Sequence, residues 1–239
     1  MIMFPSVAST VEMLSTQGIK FFEDMTPLDL QARNTTSRDA YKHTYMTSIV
    51  PFNKTERRLL NNQVMHMDKM CAMFPRLLSI SWKFAKLKPG IEDDFPHTLG
   101  DTIFIHDKLL SSGDARIRPT LIHEKIHVYQ RRYGVQTHML VCNVLGFTPF
   151  DVKTRFPKIR NNPDTNRVVY TFGTSLANPC YQAYNDNPKS LSDSMVYGSC
   201  EYEHPYEAMA YILSDVLTSQ PRANHTNYID LLRWMQLHL

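Results

Sequence analysis

Five consecutive residues, His123-Glu124-Lys125-Ile126-His127, constrain this chain more than any other stretch. In a helix, four positions make just over one turn, so both imidazoles leave the same face. There they can grip one Zn²⁺ through ring nitrogens. Glu124 stands about 100° round the helix from His123, close to a water on the metal without being a ligand. That is the position of a general base. The rest of the chain must supply a helix through this pentapeptide, a third ligand and a cleft.

The flanking pattern predicts the helix. Pro119 suits a first turn, and Ile122, Ile126 and Tyr129 mark a buried face that runs to Tyr133 and stops at Gly134. Upstream, Asn53 with Glu56 reads as a helix N-cap and its capping-box partner. Leu60, Val64, Met67, Cys71 and Phe74 then form an apolar stripe ending near Pro75. Ser79–Leu87 alternates as a strand, Lys88-Pro89-Gly90 breaks it, and the acidic run Glu92–Asp94 reads as a solvated loop. Thr102–His106 is a second strand. Thr137–Leu145 reads as a short helix, Arg167–Phe172 as a strand, and residues 149–166 and 178–194 as loop. Pro205 opens a helix through Thr218, and a C-terminal helix is expected over Asn227–Leu239. The order predicts an α+β fold: a small mixed or antiparallel sheet, the motif helix and a helical C-terminal part. Residues 1–52 read as an N-terminal extension packed on a main domain of residues 53–239, with a short helix within Val11–Phe22.

A catalytic zinc takes three protein ligands and keeps a fourth position for water. Continuing the motif to a third histidine in the same helix fails, because position 130 is Gln and position 133 is Tyr; His138 follows the expected helix end. Glu207 is the best remaining candidate. It stands in the first turn of the Pro205 helix, and small Ala208 and Ala210 would let that helix approach the motif helix closely. Glu203 is the runner-up. On these residues the chain resembles the gluzincins, zinc peptidases with HExxH and a distal glutamate. It is most similar to their compact members, whose third ligand opens an ExxA helix, here Glu207-Ala208-Met209-Ala210. The resemblance spans roughly residues 55–220. It implies a zincin-like fold, Zn²⁺ on His123, His127 and Glu207, Glu124 as general base, and a peptide or protein substrate paired with an edge strand at Thr102–His106. One departure stands out: the position four after the ligand glutamate, often acidic in that family, is Tyr211, with Asp215 one turn further on.

A tyrosine often donates to the oxyanion in such sites. Tyr197, Tyr202, Tyr206 and Tyr211 are close in sequence, and Tyr202 is favoured. His204 could face the cleft in the same role or act as a cap. Gln130, seven residues after His123, shares its face. The alternative to a peptidase is a fold of this kind that keeps zinc without turnover, as a component of a larger assembly.

Composition narrows the partners. A formal net charge of +3 over 239 residues gives no reason to expect nucleic acid. The basic concentration from Lys153 to Arg167 reads as a solvated loop rather than a phosphate-binding patch. No apolar run reaches the roughly 18 residues of a membrane span, and no signal peptide is evident. The expectation is a soluble, intracellular chain, while Cys180 and Cys200 could pair if it were secreted.

Overall fold

The computed structural model describes residues 1–172, 179–198, 200–218, 233–234 and 237–238. In chain order the elements begin with strand β1 (Ile2–Met3), helices α1 (Val7–Thr16), α2 (Ile19–Glu23), α3 (Pro27–Ala32) and α4 (Arg38–Thr47), and strand β2 (Ile49–Val50). Helices α5 (Lys54–Met70) and α6 (Pro75–Leu78) precede strands β3 (Trp82–Leu87), β4 (His97–Leu99) and β5 (Thr102–Ile105). Next come α7 (Asp107–Leu110), α8 (Asp114–Arg132), α9 (Gly134–Met139) and a π-helical turn at Leu140–Val144. Strands β6 (Phe147–Val152), β7 (Val168–Phe172), β8 (Pro179–Tyr184) and β9 (Ser194–Tyr197) lead to α10 (Pro205–Leu217). The fold is α+β, with a mixed sheet and an antiparallel meander β6-β7-β8-β9.

The mixed sheet is the frame. β3 lies parallel to β1 and β5 and antiparallel to β2, and β4 closes the sheet antiparallel to β5. Alternation along the strands sends Phe84, Ile103 and Ile105 to one face and Ala85, Leu87 and Phe104 to the other. The first face packs on α5 and α8, through Leu60, Val64, Leu121, Ile122 and Ile126. The second is covered by Leu14, Phe21, Phe22, Met25, Tyr41 and Tyr45. Residues 1–52 therefore pack on the rest of the chain, add two strands to its sheet and bury one sheet face.

Local signals explain the helix starts. Asn53 accepts from Glu56 N–H at 2.9 Å, and the Glu56 carboxylate accepts from Asn53 N–H at 2.9 Å, so the expected capping box opens α5. The α5 stripe is buried as expected, but the helix ends at Met70 and a separate turn starts at Pro75. α8 starts at Asp114, five residues before Pro119, because Gly113 at φ 82° turns the chain there and Asp114 complements the helix dipole. Pro119 thus lies inside the helix. Tyr133 breaks α8 at φ −119°, ψ 52°, and Gly134 starts α9 rather than ending the chain's helical run.

Some loop expectations are overturned. β6 reaches four residues into the expected loop, to Val152, its Pro149 accommodated by a register shift before Asp151, while the rest of residues 149–166 is turn and loop as expected. Residues 178–194 include β8, whose first residue is Pro179, where a missing N–H costs no ladder bond. The basic stretch is largely solvated turn and loop, as expected: Arg155, Lys158 and Arg167 are exposed, and each has an acidic neighbour, Asp151, Asp186 and Asp24, within 2.5–2.9 Å. Arg160 is the exception, tucked against Glu203 at 3.1 Å. The acidic run, by contrast, is structural. Glu92, Asp93 and Asp94 all have positive φ, at 49°, 51° and 60°. Glu92 is buried and accepts two 2.7 Å bonds from Arg33, plus one from the Tyr41 hydroxyl at 2.5 Å. Asp93 accepts from Leu191 N–H and Asp94 from Gly90 N–H, both at 2.7 Å.

Thr102–His106 is not an edge strand. β5 runs between β3 and β4, and His106 caps α7. The edge next to α8 is β4. Cys180 and Cys200 form a disulfide with a Cα–Cα distance of 5.7 Å, tying β8 to the segment that enters α10. The expected helix over Asn227–Leu239 lies outside the described residues, apart from four positions.

His106, buried in this frame, gives the fold an acid limit. Burial, and after it the neighbouring His97, push its imidazole from 6.5 down to about 4. Below pH 6.5 the unfolded chain takes a proton that the folded chain refuses until about pH 4. Stability from this group is therefore present above pH 6.5 and lost as pH falls toward 4, by up to about 3 kcal/mol. Urea denaturation between pH 7 and 4 should show a shallower loss in His106→Gln, and an unchanged slope would refute the assignment.

Candidate metal centre

α8 and α10 pack against each other, and their contact brings the three expected ligands together. Ala208 and Ala210 are buried in that contact, where larger side chains would hold the helices apart. His123, His127 and Glu207 are all buried, and their donor atoms lie within 4.8 Å of one another. The two histidine Nε2 atoms are 2.9 Å apart. Glu207 Oε2 is 3.2 Å from His123 Nε2, and Oε1 is 3.6 Å from His127 Nε2.

The protonation pattern of this cluster follows from Gln130. Its Oε1 lies 2.8 Å from His127 Nδ1, and its Nε2 donates to the Tyr206 carbonyl at 2.8 Å. The amide is thereby oriented with its oxygen toward the imidazole. His127 Nδ1–H donates to it, so Nε2 faces His123 and Glu207. Two ring nitrogens and a carboxylate this close need a cation among them, either a proton on Nε2 or a metal ion in its place. The donor set, two imidazoles and a carboxylate with one histidine oriented from behind, suits Zn²⁺. Burial lowers the His127 pKa, but the fields of Asp164 and Glu207 outweigh it and raise it to about 9. The same field favours a metal cation. Burial works against the Glu207 anion, yet His127 and His123 hold its carboxyl well below the usual range.

Asn162 is a residue that sequence reasoning missed. From the loop before β7 its side-chain amide donates to Glu207 Oε1 at 2.8 Å and to Glu203 Oε1 at 2.5 Å. No spacing rule links it to either glutamate. Glu203, the runner-up ligand, is engaged by Arg160 at 3.1 Å and stands outside the cluster. If the cluster holds a metal, replacing Asn162 with alanine should weaken its binding about 10- to 100-fold, as loss of such supporting contacts does. Competition with a zinc-chelating dye checks this, and unchanged affinity would show that the contact is dispensable.

Glu124 is 3 % exposed, and its Oε2 has no hydrogen-bond partner among the described residues. Burial, then the charges of Asp164 and Glu207, lift its carboxyl well above the usual range. It lines a cleft of about 950 Å³ together with His123, Glu207, Tyr202, Tyr211 and Asp215. Tyr211 packs its ring 4.4 Å from that of His123. Tyr202 stacks on Tyr211 at 5.1 Å, so the favoured tyrosine reaches the cleft through a run of rings.

His204 is corrected. It is buried away from the cleft as the N-cap of α10, where Nδ1 accepts from Tyr206 N–H at 3.1 Å. Its Nε2–H points at Asn166 Oδ1 (3.0 Å) and the Val168 carbonyl (3.2 Å). Both nitrogens are used, so it cannot serve an oxyanion. Lys125, inside the pentapeptide, turns the other way. It donates to the Ile80 carbonyl at 2.8 Å and lies 4.1 Å over the Trp82 ring, which anchors α8 to the sheet.

No protein-family model, curated protein or solved structure matches this chain. What the centre can do is argued from its own geometry.

Proposed function

We propose that the protein is a zinc-dependent peptidase of gluzincin-like design. The observation that carries the reading is the convergence of His123, His127 and Glu207 on one point beside a buried, half-unpartnered Glu124. His123, His127 and Glu207 would hold the ion. When bound, zinc supplies Lewis acidity and a water acidified toward pKa ~7. Glu124 would take a proton from a water in the cleft beside these three residues and pass it to the leaving amine of the substrate. Its raised proton affinity suits it to hold the proton between the two transfers. Tyr202 is the candidate oxyanion donor, placed by its stack on Tyr211. Gln130 and Asn162 keep His127 and Glu207 in position.

A second reading, a zinc-retaining protein without turnover, draws on one observation: at Thr98, the middle residue of edge strand β4, the outward N–H and C=O are already bonded to Asp164 and Arg131. Among the described residues no helix is long and apolar enough to cross a membrane. The Cys180–Cys200 bridge favours an oxidising compartment over the intracellular site expected from sequence.

The test pairs metal analysis with turnover. Zinc per chain by mass spectrometry should approach one in the wild type and fall sharply in Glu207→Ala. Peptide-library cleavage should vanish with a chelator and return with zinc. Zinc retained in the mutant would refute the ligand set, and zinc without any cleavage would favour the second reading.

A further inference from the structure

An extended peptide that pairs with a sheet must find a strand with unused N–H and C=O groups. The strand beside the metal centre is β4, whose neighbours Phe95 and Pro96, with His97 itself, line the cleft. β4 pairs with β5 on one side only. At its middle residue, Thr98, the outward groups are already used. Thr98 N–H donates to Asp164 Oδ1 at 2.7 Å, and its carbonyl accepts from Arg131 Nη2 at 3.0 Å. The Thr98 hydroxyl donates to the same Asp164 oxygen at 2.6 Å, and Thr98 is fully buried. Asp164 and Arg131 are themselves an ion pair at 3.5 Å. A carboxylate and a guanidinium thus fill the places that the carbonyl and amide of an added strand would take.

The segment carrying Asp164 is fixed on its other sides. Arg131 also binds the Pro163 carbonyl at 2.8 Å. Asn162 holds Glu207, and Asn161 N–H donates to Asp29 Oδ1 at 2.9 Å. An incoming strand would have to displace residues that support a metal ligand. The cleft that remains, about 950 Å³, is large enough to seat a short peptide beside His123, His127 and Glu207 without any pairing to β4.

Resting on the peptidase reading above, we propose that Asp164 and Arg131 restrict this centre to short peptides. Substrates of about three to six residues are held by the cleft walls, and added length brings no strand pairing with β4. Asp164 is the specificity-determining residue, and its removal exposes the Thr98 amide to a longer substrate.

The experiment measures kcat/KM for zinc-loaded full-length protein on peptides of four to sixteen residues that share one scissile junction. In the wild type, kcat/KM should level off by about six residues. In Asp164→Ala it should rise at least 10-fold between six and sixteen residues. Hydrogen exchange supplies a readout apart from turnover. With a sixteen-residue peptide on Glu124→Gln, the Thr98 amide should exchange as in the free protein; on the Glu124→Gln/Asp164→Ala double variant it should become protected. Should Asp164→Ala fail to fold, Arg131→Gln frees the Thr98 carbonyl and should give the same dependence on length. A wild type that already gains 10-fold with length overturns the proposal and leaves the peptidase reading standing. A flat profile in every folded variant also overturns it. Absence of cleavage at any length removes the peptidase reading and the proposal with it.

Discussion

On the peptidase reading proposed above, Glu124→Gln should keep the metal and cleave peptides about 10²- to 10⁴-fold more slowly than the wild type, the range that a positioned general base contributes. The two side chains have the same shape, so the packing around a 3 % exposed residue is kept. Glutamine cannot take a proton from water at neutral pH, whereas Glu124, with Oε2 unpartnered and its proton affinity raised by burial, can. Zinc content by mass spectrometry and kcat on a fluorogenic peptide are the two measurements. Full activity would remove Glu124 from the mechanism. Loss of zinc would instead make it a ligand.

Arg33→Met should destabilise the fold by about 3–5 kcal/mol, the cost of stripping one partner from a buried ion pair. Arg33 is 2 % exposed at its side chain and Glu92 3 %, and the guanidinium meets the carboxylate through two 2.7 Å bonds. Met keeps the bulk but leaves Glu92 charged and buried. Burial raises the Tyr41 pKa, and the adjoining Glu92 raises it further, so that hydroxyl stays neutral and only partly offsets the loss. The effect should reach the metal. Arg33 also touches Asp29, Asp29 holds Asn161, and the next residue holds Glu207. Zinc affinity should therefore fall in a variant whose substitution lies in the first 52 residues. Arg33→Lys should recover little, because an ammonium cannot form the paired bonds. Urea denaturation with zinc titration decides the matter, and a change below about 1 kcal/mol would show that the pair is not structurally important.

The cluster of His123, His127 and Glu207 was legible because its parts obey helical geometry. His123 and His127 are fixed by one turn, Glu207 by a Pro-initiated helix with two alanines, and Gln130 by a shared face. The supporting residues were not legible, since Asn162, Arg131 and Asp164 act across loops with no periodicity. The strands β6 and β8 were missed for a related reason. Pro149 and Pro179 read as breakers, and only the pairing register reveals that one sits at a bulge and the other at a strand start. His204 was misplaced because a buried N-cap and a cleft-facing donor look alike in sequence. The edge strand was misassigned because three residues, His97–Leu99, gave too short a pattern to be read.

The run Glu92-Asp93-Asp94 places opposing demands on mutation. Three successive left-handed residues ask for glycine, each non-glycine costing roughly 1–2 kcal/mol. The contacts to Arg33, Leu191 and Gly90 ask for acids with oxygens in those places. A single replacement that eases the backbone breaks a bond, and one that keeps the bond keeps the strain. Drift at this turn should therefore proceed by paired changes, so that the stretch that looks most like a disposable surface loop becomes one of the slowest to diverge.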